Sequence, residues 1–309
     1  MSVVFTLKEV CRMVKRWGVV FTCLASRAIH LETSAAMDTS SYINALRRFL
    51  AIRGPVRWMR SDRGSNFVGA RHEFEAELGK MDFAKVQDAM KGYGCDLVEF
   101  KMNPPHASNF GGVWERQIKT IRSVLNALML ETGSQLDDEE LRTVMAEVSA
   151  IVNSRPLSTE TVNDPSLVPL SPNRLLTMKS KVLYPPPGEF VREDLYAVKR
   201  WRRVQHILNC FWERWRKEYL SQLQSRQKWI NPKRNLQIGD LVLVRDDAVI
   251  RSMWKMGRVR ELKMSSDQLV RSVTLEIGSR DLDKRGRRIG RLSTLERPAN
   301  KLVLLVEAE

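Results

Sequence analysis

The sequence predicts a layered α/β domain followed by a helical connection and a small C-terminal β-barrel. Three observations predict it. Residues 1–154 alternate between runs of period two and runs of helical spacing. Residues 155–190 hold seven of the chain's twelve prolines, a linker composition. Beyond residue 235 the apolar residues gather into short strands separated by turn signals. The divisions expected are 1–154 for the α/β core, 155–190 for the linker, 191–235 for a long basic helix and 236–309 for the barrel. With 309 residues, 43% of them hydrophobic, the chain has the apolar material for two cores and lacks the composition of a disordered protein.

Within the first segment, Trp17-Gly18-Val19-Val20-Phe21-Thr22-Cys23-Leu24 and Ala28-Ile29-His30-Leu31-Glu32 are β-rich runs on either side of Ser26-Arg27, a hairpin. The period then changes. Between Ser40 and Ile52, Ile43, Leu46, Phe49 and Leu50 fall on one helical stripe, with Arg47, Arg48 and Arg53 on the wet side and Asp38 placed to cap the start. The apolar run 56–61 reads as a buried strand that delivers Asp62 to its tip before the turn residues Arg63-Gly64-Ser65-Asn66. Helical spacing returns across 68–91, a strand follows at 96–100, and a loop over 103–112 leads into a long helix with Ile118, Ile121, Leu125 and Leu128 on its inner stripe. A further helix, 139–153, ends at Ser154-Arg155-Pro156, because proline disfavours helical geometry in the residue before it.

Asp62 and Glu115 carry the chemistry. A strand-tip Asp and a helix-start Glu are two carboxylates arriving from different elements, and Mg²⁺ chemistry on phosphodiesters needs several such oxygen ligands converging on one place. Taken singly, Asp62 reads first as a turn cap and Glu115 as an acid favoured at the positive end of a helix, ahead of any catalytic role, each worth about 1 kcal/mol or less. Lys119 and Arg122 share one side of the helix with Glu115, four and seven residues on. They are either phosphate contacts or part of a solvated surface pair.

The longer words around these residues are informative. Cys23-Leu24-Ala25-Ser26-Arg27-Ala28-Ile29-His30-Leu31-Glu32, Arg60-Ser61-Asp62-Arg63-Gly64-Ser65-Asn66-Phe67-Val68-Gly69-Ala70 and Phe110-Gly111-Gly112-Val113-Trp114-Glu115-Arg116-Gln117 resemble the integrase of BEL/Pao-type retrotransposons. So do Gly239-Asp240-Leu241-Val242-Leu243-Val244 and Arg297-Pro298-Ala299-Asn300-Lys301-Leu302. The resemblance implies an RNase H-like catalytic core with an Asp, Asp, Glu metal-binding set, Mg²⁺ or Mn²⁺ as cofactor, and polynucleotidyl transfer on DNA. Asp62 matches the second acid of that set and Glu115 the third. Nothing matches the first: the acids before Asp62 are Glu9, Glu32 and Asp38, and Val3-Val4-Phe5-Thr6-Leu7, the run available for the lost strand, offers only the neutral Thr6 hydroxyl. The chain therefore looks like an integrase cut on its N-terminal side, with strand transfer expected to be weak or absent. Arg63 and Ser108-Asn109 also depart from the family, which commonly has Asn after the acid and a Pro-His pair in the loop.

Charge extends this reading. Residues 191–309 hold 27 Lys+Arg against 15 Asp+Glu, a balance of +12, while residues 1–190 hold 24 against 21, a balance of +3. A basic module beside a nearly neutral one fits non-specific phosphate binding. DNA is the partner expected, contacted by Lys119, Arg122 and the loop His106, and by Arg285, Arg287 and Arg288 in the densest basic cluster. A homo-oligomer acting in the nucleus is expected as well, with neither a membrane nor a small-molecule substrate. No run of about 18 apolar residues occurs, and Cys11, Cys23, Cys95 and Cys210 form no CxxC pair, which argues for an intracellular thiol protein. His30, His72, His106 and His206 make no zinc spacing with them.

In the C-terminal part, 193–229 reads as one long helix with Trp201, Trp212, Trp215 and Trp229 among arginines. Packing is the role expected for the tryptophans and phosphate contact for the arginines. Strands are expected at Leu241–Arg245, Gly257–Leu262, Val270–Glu276 and Leu302–Val306.

Overall fold

The computed structural model describes residues 2–9, 12–36, 38–54, 56, 58–61, 82, 84–85, 88–89, 99–102, 112–132, 136–157, 170–178, 185–223, 234–246, 249–278 and 291–308. The chain divides into two compact units, residues 1–149 with 190–208, and residues 150–189 with 209–309. The stretch 150–189 groups with the C-terminal residues, and 190–208 groups with the N-terminal ones.

The first unit opens on a three-stranded antiparallel sheet in the order β1-β2-β3, formed by Ser2–Glu9, Arg12–Thr22 and Ile29–Ser34. Between β2 and β3 the turn runs through Arg27 in a left-handed conformation, φ 56°. Helix α1, Thr39–Arg53, begins where Asp38 accepts the Ser41 amide at 2.6 Å and ends where Gly54, at φ 83°, donates its own amide to Leu50. Its stripe packs as the periodicity predicts: Ala45, Leu46 and Leu50 bury against Val19 and Phe21, with Ile43 and Phe49 alongside. Arg47 and Arg48 are exposed, but Arg53 is half-buried rather than wet, because it reaches back to the sheet. The outer edge of β3 is partly closed by side chains: the Leu31 amide donates to Ser149 Oγ, and Arg48 donates to the Thr33 carbonyl.

Strands β4, Trp58–Ser61, and β5, Glu99–Met102, pair in parallel, residue for residue from Trp58 with Glu99 to Ser61 with Met102. Residues 58–61 of the expected strand 56–61 form β4, and residues 99–100 of the expected strand 96–100 fall in β5; residues 57 and 96–98 lie outside the described residues. The helices expected across 68–91 lie outside the described residues but for short pieces. Helix α2, Gly112–Thr132, buries Ile118, Ile121, Leu125 and Leu128, the inner stripe expected. Helix α3, Asp138–Asn153, starts at a reciprocal cap in which Glu140 N donates to Asp137 and Asp137 N donates to Glu140.

A short helix α4, Pro172–Thr177, capped by Ser171, belongs to the second unit. After a 3₁₀ turn at Arg192–Tyr196 comes helix α5, Arg200–Leu223, which starts later than expected; residues 224–229 of the expected helix lie outside the described residues. The C-terminal strands are β6 Leu241–Val244, β7 Met256–Met264, β8 Val270–Ile277, β9 Ser293–Pro298 and β10 Leu302–Val306, in a five-stranded antiparallel sheet ordered β10-β6-β7-β8-β9. Where a small barrel is expected, the described residues form an open-ordered sheet with β9 and β10 at its edges, and no ladder joins those edges among them. One side of this sheet buries Val242, Val244, Val259, Val273 and Leu275, and the other packs Leu241, Leu243, Met256 and Val303 against Leu220 of α5. No helix among the described residues is long and apolar enough to cross a membrane.

Candidate functional site

The register of β4 with β5 fixes the position of the residue that precedes Asp62. Their last described pair is Ser61 with Met102, so both strands end at one edge of the pair. Asp62 is the next residue after Ser61, and α2 begins at Gly112, placing Glu115 in its first turn, where the helix dipole favours an anion. Asp62 itself, His106 and the Glu115 side chain lie outside the described residues. Lys119 is exposed and Arg122 half-buried on the helix face that Glu115 shares by spacing. Burial pulls the Arg122 guanidinium below its usual range, a direction that an anion beside it would offset.

The run Val3–Leu7, read from the sequence as available for a first acid, lies in β1. This strand pairs with β2 along its whole length, Ser2 opposite Val19 and Glu9 opposite Arg12. Thr6 lies opposite Lys15, and the strand's one acid, Glu9, sits at the hairpin end. Among the described residues, no group of three or more His, Cys, Asp or Glu side chains is placed to hold a metal ion. The donor set read from the sequence thus supplies two hard oxygen ligands, one carboxylate short of the set that the resemblance implies.

The arginines of α5 behave differently from the expectation. Within the first unit, Arg200 donates to Asp137 at 2.8 Å, Arg202 to Asp194 at 2.6 and 3.1 Å, and Arg203 to Glu140 at 3.1 and 3.2 Å and to the Leu195 carbonyl. These three are engaged by acids that a phosphate would have to displace. Glu140 is 3% exposed, and burial pushes its carboxyl above the usual range although Arg203 opposes the shift. In the second unit, Trp212 and Trp215 are buried as expected, and Trp254 meets both rings and Tyr219 edge-on at 5.1, 5.9 and 5.4 Å. Tyr219 donates to the Pro156 carbonyl and Trp254 to Ser154 Oγ, so the segment that reads as linker is packed into this aromatic cluster. Trp201 is half-exposed, and Trp229 lies outside the described residues.

Comparison with known proteins adds three findings. Residues 199–305 match a family of unknown function, DUF5641, over about a third of the chain. No curated protein matches. Among solved structures, the chain is similar to one in the cryo-EM structure of the simian T-cell lymphotropic virus intasome in complex with PP2A regulatory subunit B56 gamma, at 11% identity and a TM-score of 0.36, covering 99% of this chain and 77% of that one. A likeness at that score carries no argument about fold or activity.

The segment matched by the family takes in α5 and nearly all of the five-stranded sheet, and its described outer face is largely charge-compensated. Arg260 pairs with Glu276 at 2.7 Å, Lys263 with Glu296 at 2.7 Å and Arg271 with Asp267. Thr274 and Ser272 donate to Glu261 and Glu296. Such exposed pairs add little stability, about 0–1 kcal/mol each, but they cancel the field a DNA backbone would sense. Arg285, Arg287 and Arg288 fall between β8 and β9, outside the described residues. The long-range arginine pairs escaped the sequence reading; the signal available for them was the run Asp137-Asp138-Glu139-Glu140, which offers more acids than one helix start requires.

Proposed function

We propose that the chain is an integrase-type protein of BEL/Pao ancestry that binds DNA and has an incomplete phosphodiester-transfer site. The observation that supports the reading is the parallel β4–β5 register, in which Ser61, the residue before Asp62, and Met102, the last described residue before the loop leading to Glu115, lie at the same carboxyl end, where ligands bind in open α/β sheets. The order of elements in the first unit, three antiparallel strands, a helix, then parallel strands and a long helix, is consistent with an RNase H-like core. Asp62 and Glu115 would hold Mg²⁺ or Mn²⁺, which supplies charge neutralisation at a phosphodiester when bound. Lys119 and Arg122 would position the DNA backbone beside them.

The composition of β1 favours a second reading, a DNA-binding and assembly protein that has lost catalysis. Thr6 provides no anionic ligand, and a bridging carboxylate is what a pair of metal ions requires. One experiment separates the two: cleavage and joining of a labelled DNA duplex with Mg²⁺ or Mn²⁺ by the full chain and by Asp62→Asn, alongside DNA binding over a salt series. Metal-dependent joining that disappears in Asp62→Asn supports the enzyme. Salt-sensitive binding with no joining supports the binding protein, and the absence of both sinks the whole reading.

A further inference from the structure

The motif Arg27-Ala28-Ile29-His30-Leu31-Glu32 carries part of the integrase resemblance, yet nothing in the proposed chemistry uses its His or its Glu. The structure gives them partners. His30 and Glu32 lie two apart on β3 and so face the same side of the sheet. His30 Nε2 is 2.9 Å from Glu32 Oε1, and the other carboxylate oxygen accepts from Arg48 Nε at 2.6 Å. Arg53, the last residue of α1, donates its Nε–H to His30 Nδ1 at 3.4 Å. The imidazole is buried beside the stacked rings of Phe21 and Phe49, with ring centroids 6.3 and 5.4 Å away.

This geometry admits one tautomer. A guanidinium only donates, so Nδ1 must keep its lone pair for Arg53, and the imidazole proton must sit on Nε2, directed at Glu32. A second proton has only Nδ1 to occupy. There it removes the acceptor that Arg53 uses and sets two cations against each other across the same gap. Nε2–H stays on Glu32, and Glu32 stays on Arg48. Burial alone would push the Glu32 carboxyl up, but the bonds from His30 and Arg48 outweigh it and hold the group below its usual range, so Glu32 stays charged throughout. Among the described residues, the charged groups facing the ring are Glu32 on β3 and Arg48 and Arg53 on α1; β2 presents Phe21 there.

We infer that His30 and Glu32 form a proton-sensitive latch that holds the last turn of α1 on the sheet and releases Arg53 when the imidazole charges. The inference is independent of the proposed function. The last turn of α1 is thus fastened while the imidazole is neutral and loosened when it carries a second proton. Gly54 and then β4 follow directly in the chain, which makes this turn the entry to the strand preceding Asp62.

The test uses the full chain labelled with ¹⁵N-histidine, the His30 signals being assigned by their loss in His30→Gln. At pH 8 the expected pattern is a protonated Nε2 and an unprotonated Nδ1. Backbone hydrogen exchange at Ile52, Arg53 and Gly54, divided by the intrinsic rate, is expected to rise about tenfold between pH 8 and pH 5. Arg53→Ala should raise the same rates at both pH values and remove their pH dependence, which keeps the test open if His30→Gln fails to fold. A proton on Nδ1 at pH 8, a last turn indifferent to pH, or an unchanged pH dependence in Arg53→Ala would each overturn the latch.

Discussion

Asp240 gives the sharpest quantitative prediction, because its environment is closed and fully described. The residue is 0% exposed, and each carboxylate oxygen accepts two N–H groups. Oδ1 takes Arg234 Nη2 at 2.9 Å and the Ala308 amide at 2.9 Å, while Oδ2 takes Arg234 Nη1 at 2.8 Å and the Gln237 amide at 2.8 Å. Asp240→Asn preserves shape but turns one oxygen into an NH₂ group, so one amide and one guanidinium N–H lose their acceptor. An unsatisfied buried amide costs about 1–3 kcal/mol and a lost charge-assisted bond about 1.5–3 kcal/mol. Arg234 is 30% exposed and recovers part of its hydration, which brings the sum to about 3 kcal/mol. That is about 150-fold in the opening equilibrium. Hydrogen exchange at Val242 and Val259 reads it directly, since both belong to the buried core of that sheet and the Val259 amide is bonded to the Asp240 carbonyl.

Acid supplies the second arm of that test. Burial alone would push the Asp240 carboxyl up, but the bonds from Arg234, Ala308 and Gln237 outweigh it and hold the group below its usual range. A depressed pKa stabilises the fold above the unfolded value, about 3.9, and that stability is lost as pH falls through the lower folded value. The gap between wild type and Asp240→Asn is therefore full at pH 7 and closes in stronger acid. A gap below about tenfold at pH 7, or one that stays constant as the carboxylate protonates, would refute the reasoning.

Two further predictions follow from packing and charge. Trp254→Ala removes the ring that meets Trp212, Trp215 and Tyr219 and should lower the stability of the second unit by about 3–5 kcal/mol, with Trp254→Phe losing clearly less, as read by urea unfolding. In DNA binding, replacing Arg285, Arg287 and Arg288 together by Gln should flatten the salt dependence by about 2–3 in log–log slope, whereas Lys263→Gln, whose partner is Glu296, should leave the slope nearly unchanged.

Elements whose identity rests on a one-dimensional pattern were legible in the sequence. The α2 stripe from Ile118 to Leu128, the Asp38 cap and four of the five C-terminal strands needed only period and punctuation. The strand β9 was missed for a physical reason: as an edge strand its residues Ser293–Pro298 are mostly exposed and carry no apolar alternation. Pairings across long loops were illegible too. Arg203 meets Glu140 across 63 residues, and nothing in the local sequence distinguishes an arginine aimed at an acid on a neighbouring helix from one left for phosphate. Of the candidate site, the helix face of Glu115, Lys119 and Arg122 was readable from spacing, whereas the coincidence of strand ends at Ser61 and Met102 required the parallel register itself.

These pairings change where the basic field of the C-terminal part can act. Residues 224–233 and 279–290 contain eight Lys+Arg against two Asp+Glu, a balance of +6, half of the +12 carried by residues 191–309. In the packed parts, Arg200, Arg202, Arg203, Arg260, Lys263 and Arg271 all face acids. A phosphate taking any of these cations must first displace a carboxylate, which subtracts from the binding it provides, while cations without an acid contribute their counterion release in full. Under the proposed reading, the acid-paired cations of the folded parts therefore contribute less to phosphate contact than their number suggests. Glu276 and Glu296 thus offset the cations on the sheet's outer face, and under the proposed reading a DNA backbone would sense little field there.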